Sequence, residues 1–371
     1  MSALQAELPR LLGASAAWSL APFGAASLGL AVGTGLGAKI LSPLGPRLAA
    51  TLGTLAWGFG MAASGLAVAN GSLAAAAAGF VFGGAGVGLA YLTIVATVGP
   101  SFPTRPLIGS AIGPVGFMIG TSLFFLVAMA TGFHQLGVRE VGTVLIAAGL
   151  LISCVAVAAG RGMPRSATSG EGQRALPAQQ TSAAPARRAL SVLLFVNALP
   201  GMLLLAVVVP VVSNTLQRSN VAAEAIVVAT AVALFLGGLL APGLRRRTGV
   251  RKAFVILLLV RGALLLTVPL IPGTAANVLL LAAVLFGHGA GFSLLPGLMR
   301  SQDSPARFHV NYGQVLIAWG VAGLVGVGLA AVSVSTTGGY SAGLAMCGGT
   351  VLTAALLLAI FGADLPALRE T

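Results

Sequence analysis

Charge is what this chain has least of. Of 371 residues, 7% are Asp, Glu, Lys or Arg, where a water-soluble domain carries about 25%. So few charges cannot cover a surface facing water, and the soluble globular classes are excluded. Acids are the scarcer sign, 7 against 20 basic residues. Glu7, Glu140, Glu171, Glu224, Asp303, Asp364 and Glu370 all lie in loops or at the ends of apolar runs. No span therefore offers a carboxylate pair for acid–base chemistry or a buried acid to carry a proton. Cysteine is nearly absent. Cys154 and Cys347 sit in separate apolar runs, which excludes a disulfide framework and a thiolate metal site, and reads as two small buried hydrophobes. With 3 His and none at metal-ligand spacing, the expectation is no catalytic residue, no metal, no cofactor and no enzyme. Residues Met1 to Leu12 contain Glu7 and Arg10 but no basic stretch leading into an apolar core, so no cleavable signal is read there.

What is present is apolar sequence: 57% of residues, with a mean hydropathy of +1.01. A spanning helix needs about 20 mainly apolar residues. Eleven runs qualify, at 18–41, 48–69, 73–99, 106–131, 138–159, 189–212, 222–243, 253–272, 275–298, 310–332 and 339–362. Pro100, Pro103 and Pro106 punctuate the turn between the third and fourth. The net charge of +13 would suit nucleic acid, but the basic residues lie between apolar runs and not on an aromatic-studded groove. Their distribution fixes orientation instead. Taking the loops after the odd-numbered spans as one side, that side and its helix ends hold sixteen of the 20 basic residues, from Lys39 and Arg47 to Arg369. The opposite side holds Arg10, Arg139 and Arg218, and Arg261 lies within a span. By the positive-inside rule the C-terminus is cytoplasmic, in an inner or plasma membrane.

The chain also repeats itself. Gly45-Pro46-Arg47 recurs as Gly249-Val250-Arg251, an offset of 204, and Gly84-Ala85-Gly86 as Gly289-Ala290-Gly291, an offset of 205. Gly109 pairs with Gly313 and Gly116 with Gly320. Such agreement, at equivalent places in the span order, predicts two parallel halves: a bundle over 1–159, a flexible linker over 160–188 rich in Ala, Ser, Gln and Pro, and a six-helix bundle over 189–371. Subtracting 204 from the helix at 189–212 places its partner near −15 to 8, so the first helix of the first half is expected to be missing, through a late start site in preference to a true eleven-span design.

Two six-helix halves with a basic middle loop resemble the major facilitator superfamily. Three stretches are similar to its oxalate/formate antiporter and monocarboxylate transporter branch: Gly83-Gly84-Ala85-Gly86-Val87-Gly88-Leu89-Ala90-Tyr91 with Ser101-Phe102-Pro103-Thr104-Arg105 and the glycines at 109, 113, 116 and 120; Asn311 through Gly323; and Leu294-Leu295-Pro296. The resemblance implies an all-α polytopic fold of two pseudo-symmetric bundles, moving a small organic anion by alternating access. Departures limit it. The superfamily's acidic loop position is Ser42 here and Arg246 in the second copy. The cations that hold a dicarboxylate in oxalate-type members are lacking, because the eighth-helix position falls on Gly238 and the eleventh helix has no Lys. Oxalate is not the expected solute.

Polar residues inside spans are costly and mark functional sites. The substrate-binding candidates are His288, flanked by Gly287 and Gly289, Tyr91, Asn197, Gln314, Trp319 and Arg261. An imidazole can hold an anion or relay a proton. The others offer hydrogen bonds, a ring face and a midplane cation to a small planar solute. Arg261 falls on a helix that is peripheral in the resembled design, where snorkelling or bonding to backbone carbonyls competes with a binding role. A small-molecule substrate and the bilayer are the expected partners, with no nucleic acid, and the expected state is a monomer. Export of amphipathic drugs or metabolites is the rival reading. The glycines at 83, 84, 86 and 88 read as helix-packing faces, since no strand precedes them to make a nucleotide loop.

Overall fold

A bilayer leaves backbone groups no water to bond, and apolar runs of about 20 residues meet that demand as helices whose backbone bonds close within each segment. The computed structural model describes residues 2–98, 102, 113–120, 132, 135–162, 184–216, 220–271, 274–303 and 305–362, and among them there is no strand. The helices are α1 (Ser2–Leu12), α2 (Ala21–Ala69), α3 (Leu73–Val98), α4 (Val138–Gly160), α5 (Ala184–Leu216), α6 (Asn220–Thr248), α7 (Val250–Thr267), α8 (Thr274–Arg300), α9 (Pro305–Thr337) and α10 (Ser341–Phe361). A further helical segment covers 113–120. Eight stretches among the described residues are long and apolar enough to cross a membrane. The expected span at 106–131 falls outside the described residues except for 113–120, and so do Gly109, the prolines at 100, 103 and 106, and most of the expected linker.

The repeat is written in the backbone. α2 is two helices joined at Gly45, whose φ is 72° and ψ 167°. α6 and α7 are joined at Gly249, with φ 77° and ψ 165°. Only glycine holds that conformation without strain, so two residues 204 apart make the same sharp reversal between a pair of spans. The basic run Arg245, Arg246 and Arg247 closes the last turn of α6, where cations favour the negative end of the helix dipole.

Two groups of helices result. The two legs of α2 pack with α3 and α4, and α5 to α10 pack with one another. Within each group backbones meet through glycine. A side chain on Gly29 or Gly33 would strike the α3 backbone at Val81 or Ala85, and one on Gly237 would strike Phe286. Apolar helices associate in lipid through such close packing, since lipid tails give no hydrophobic drive to associate. Their outward faces carry large exposed apolar residues such as Leu36, Phe59, Leu151, Leu240 and Ile360, which is the belt a bilayer covers.

α1 was not among the expected spans. Its Leu4 and Leu8 are buried with Val68, Phe80 and Leu145 of the first group, and Arg10 donates to Glu7 and to the Leu136 carbonyl. At the repeat offset it corresponds to 206–216, the last part of α5.

The groups meet along a seam where α9 runs against the first leg of α2. Gly320 lies on Ser27 and Ala31, and Gly313 on Thr34, with no room for a side chain. One end of the seam is fastened by His309 Nε2 to Ser42 Oγ at 3.1 Å. Because Ser42 spends its own proton on the Ala38 carbonyl, it accepts from the imidazole. At the same end the Arg300 guanidinium donates to the Val95 carbonyl and stands over the Phe308 ring at 4.3 Å. At the opposite end α1 touches α5.

Candidate functional site

α5 carries Pro200 in its interior. Proline has no N–H, so the Val196 carbonyl loses its intrahelical donor. Asn197 sits in that turn. Arg261 of α7, fully buried, reaches it with two hydrogen bonds: Nη1 donates to Asn197 Oδ1 at 2.9 Å and Nη2 to the Asn197 carbonyl at 2.7 Å. Arg261 does not snorkel; it points into the second group and ties α7 to α5. His288 of α8 approaches the same carbonyl through Nδ1 at 3.4 Å. A carbonyl only accepts, so in the neutral ring this contact puts the proton on Nδ1 and leaves Nε2 as an acceptor.

Three glycines admit this cluster. A side chain on Gly201 would collide with the His288 ring, one on Gly287 with the Arg261 stem, and one on Gly291 with the Asn197 carboxamide. Gly287 and Gly291 flank His288 on α8, so the local glycine pattern is what lets an arginine and an asparagine lie against that helix.

Hydrogen bonding here is unbalanced. Arg261 Nε and Asn197 Nδ2 are buried with no partner, and both are donors. No carboxylate among the described residues pairs with the guanidinium; its acceptors are both on neutral Asn197. A buried ion costs several kcal/mol to desolvate unless it is paired. The cluster therefore has spare donors and spare positive charge, and an acceptor-rich anion supplies what it lacks.

From His288 the site continues into rings. His288 stacks on Phe292 at 5.8 Å, one turn along α8. Phe292 meets Trp319 of α9 at 4.8 Å and Tyr91 of α3 at 5.7 Å. Tyr91 and Phe117 each set an edge against Trp319, at 5.2 and 5.1 Å. The Trp319 indole N–H finds only the Met202 sulfur, at 3.2 Å, a weak acceptor. Tyr91 Oη lies toward Tyr312 and closes no hydrogen bond.

Five of the six sequence candidates thus fall into one connected set: Arg261, Asn197, His288, Trp319 and Tyr91. Gln314 does not join them. It is exposed, in line with Val310, Ile317, Val321 and Val325 on the outward stripe of α9, while Trp319 on the same helix points inward. Phe117, Phe292 and Met202 belong to the set and were missed. Phe292 had one signal, its i+4 spacing from His288. Gly238, where an oxalate-type cation would stand, packs against Met118 and Ser293.

Comparison with known proteins places this geometry. No family model and no curated protein matches the chain. Solved structures do. The xylose transporter XylE from E. coli, in a partially occluded inward-open conformation, superposes with a TM-score of 0.73 at 14% identity, covering 97% of this chain and 92% of that one. The chain has the major facilitator fold. A D-xylose-proton symporter gives a TM-score of 0.73 at 15% identity over 96% of this chain and 92% of that one. The human organic anion transporter MFSD10 gives 0.67 at 18% identity over 92% and 84%. At these identities the likeness is one of fold, and none of these structures carries the name of the oxalate/formate or monocarboxylate branch. In major facilitator terms, the rings lie between the two bundles and the Arg261 cluster lies within the second.

Proposed function

We propose that this protein is a secondary transporter that carries a small organic anion of the monocarboxylate kind between the two bundles by alternating access. The observation that carries the reading is Arg261: a fully buried guanidinium whose acceptors both come from a neutral asparagine, with an unpartnered Nε beside an unpartnered Asn197 amide. A monoanion neutralises one such charge; a dianion leaves one negative charge over. The organic anion transporter among the fold neighbours supports the class, and the sugar transporters support the architecture. The bias of basic residues supports an inner or plasma membrane with the C-terminus and the Ser42–His309 fastening on the cytoplasmic side.

The same cation supports exchange. An empty carrier must reorient with a bare buried charge, a loaded one with that charge neutralised. Reorientation is then faster with solute bound, and internal solute accelerates uptake of external solute. Purified protein in proteoliposomes, preloaded with unlabelled anion and offered a panel of labelled aliphatic and aromatic monocarboxylates, tests this directly. Accumulation that depends on preloading and is lost in R261M supports it, and no flux with any member of the panel overturns it. Export of an amphipathic drug is the second reading, favoured by the ring cluster. It predicts flux of neutral or cationic compounds that survives R261M.

A further inference from the structure

Resting on the anion reading above, we infer that the transported solute is an aromatic monoanion: a flat ring bearing one carboxylate, with the ring lying among Phe292, Trp319 and Tyr91 and the carboxylate directed to the donors of Arg261 and Asn197.

The first ground is how the seam is packed. Where the bundles meet through α2 and α9, glycines bring backbones together and leave no space, as at Gly313 and Gly320. At the centre the contact is made by rings: Tyr91 and Phe117 from the first bundle against Phe292 and Trp319 from the second, at 4.8–6.3 Å between centroids. Aromatics are 6% of the chain, so their gathering at this junction is selective. Rings hold backbones apart and turn about their own side-chain bonds. When they swing aside they leave a gap of about a ring's thickness bounded by π faces.

The second ground is a gradient of polarity. The spare donors lie at one end, on Arg261 and Asn197. His288 joins that end to the rings, with Nδ1 toward the Asn197 carbonyl and its face on Phe292. Beyond it the described ring residues carry no charge, and their polar atoms are the weakly satisfied Trp319 N–H and the Tyr91 hydroxyl. A solute matching this order has a charged head and an apolar flat body. A short aliphatic acid leaves the rings unused, a dicarboxylate brings a second charge among them, and a sugar finds few acceptors.

The third ground is compliance. Met202 lies beside Trp319 and Met118 beside Gly238. Thioether side chains are flexible and make favourable contacts at ring edges, so the walls can reshape around an inserted ring.

Binding to the full chain in detergent tests this, read by Trp319 fluorescence in a Trp18→Phe/Trp57→Phe background. The probes are benzoate, cyclohexanecarboxylate, acetate, malonate, benzamide and benzylammonium. An edge-to-face or offset ring contact is worth about two- to tenfold, so with several rings in reach benzoate should bind about tenfold tighter than cyclohexanecarboxylate and tighter still than acetate. In Phe292→Leu, which keeps bulk and removes the ring, the benzoate-to-cyclohexanecarboxylate ratio should fall toward one; a ratio is insensitive to the fraction of protein folded. Equal binding of benzoate, cyclohexanecarboxylate and acetate overturns the aromatic inference and leaves the anion reading standing. Benzamide or benzylammonium matching benzoate overturns the anion reading instead. Malonate binding tightest overturns the monoanion assignment.

Discussion

Replacing Arg261 by Met separates a cation kept for binding from one kept as a brace. The guanidinium is fully buried and both its hydrogen bonds end on Asn197. Desolvating it costs several kcal/mol, and two bonds to a charged donor return about 1.5–3 kcal/mol each. Without a carboxylate those contributions roughly cancel. R261M fills similar volume with a thioether and leaves the Asn197 carbonyl the His288 contact, so the empty protein should unfold at an unchanged or higher denaturant concentration. Asn197→Ala does the reverse, keeping the charge and removing one acceptor, at a cost of about 1.5–3 kcal/mol. In the R261M background the same Asn197 change should cost only its packing. The coupling energy is then about 1.5–3 kcal/mol, well above the ~0.6 kcal/mol averaged by polar contacts between membrane helices. Equilibrium unfolding of the four proteins in mixed lipid–detergent micelles measures it, with anion exchange assayed in parallel. R261M destabilised by more than about 3 kcal/mol, the signature of a broken buried pair, with exchange intact, would refute the binding role.

Gly33 has no room beside Ala85, whereas Gly328 has nothing within 4 Å; Gly33→Leu should abolish a monodisperse elution peak and Gly328→Leu should preserve it. Gly45→Ala and Gly249→Ala each force a side chain into a glycine-only backbone region at a cost of about 1–3 kcal/mol. The kinks lie in different bundles, so thermal shifts of the single variants should add in the double variant. Ser42→Ala with Arg300→Gln removes both hydrogen bonds at one end of the seam. Spin labels at Leu44→Cys and Val310→Cys, both exposed near that end, should then report longer distances, and an unchanged distribution counts against a latch.

Much of the fold was legible because lipid imposes simple rules. Each spanning helix must be long and apolar, so runs such as 73–99 and 138–159 read directly as α3 and α4. Positive φ restricts the kinks to glycine, so Gly45 and Gly249 marked the repeat. The facing of the helices was not legible. In water a helix shows its buried side by polar contrast, but in a bilayer both sides of α9 are apolar. Gln314 and Trp319 are five residues apart on that helix, and nothing in the sequence says that one faces out and the other in. The same loss of contrast hid Phe117, Phe292 and Met202, which look like any lipid-facing side chain. Arg261 was visible as a charge, but its partner was not, because Asn197 lies 64 positions away on another helix and no local pattern marks the pairing.

The two ends of the site belong to different mechanical parts, and this bears on what can be carried as well as what can bind. Arg261, Asn197 and His288 all stand on helices of the second bundle, and among the described residues the first bundle brings the Tyr91 and Phe117 rings to the site. A charged head therefore interacts with one bundle alone. Only a solute with a body long enough to touch Tyr91 interacts differently with open and closed arrangements, and a ligand shifts an equilibrium only by its differential affinity for the two states. Acetate should occupy the Arg261 end as a weak competitor and, by neutralising that charge alone, stimulate exchange far less than benzoate. Benzoate should stimulate it fully, because its ring spans the gap between bundles. Proteoliposomes loaded with saturating acetate or with benzoate, and offered labelled benzoate, separate the cases. Equal stimulation by both internal anions would mean that the head group alone drives closure and that the rings only fill space.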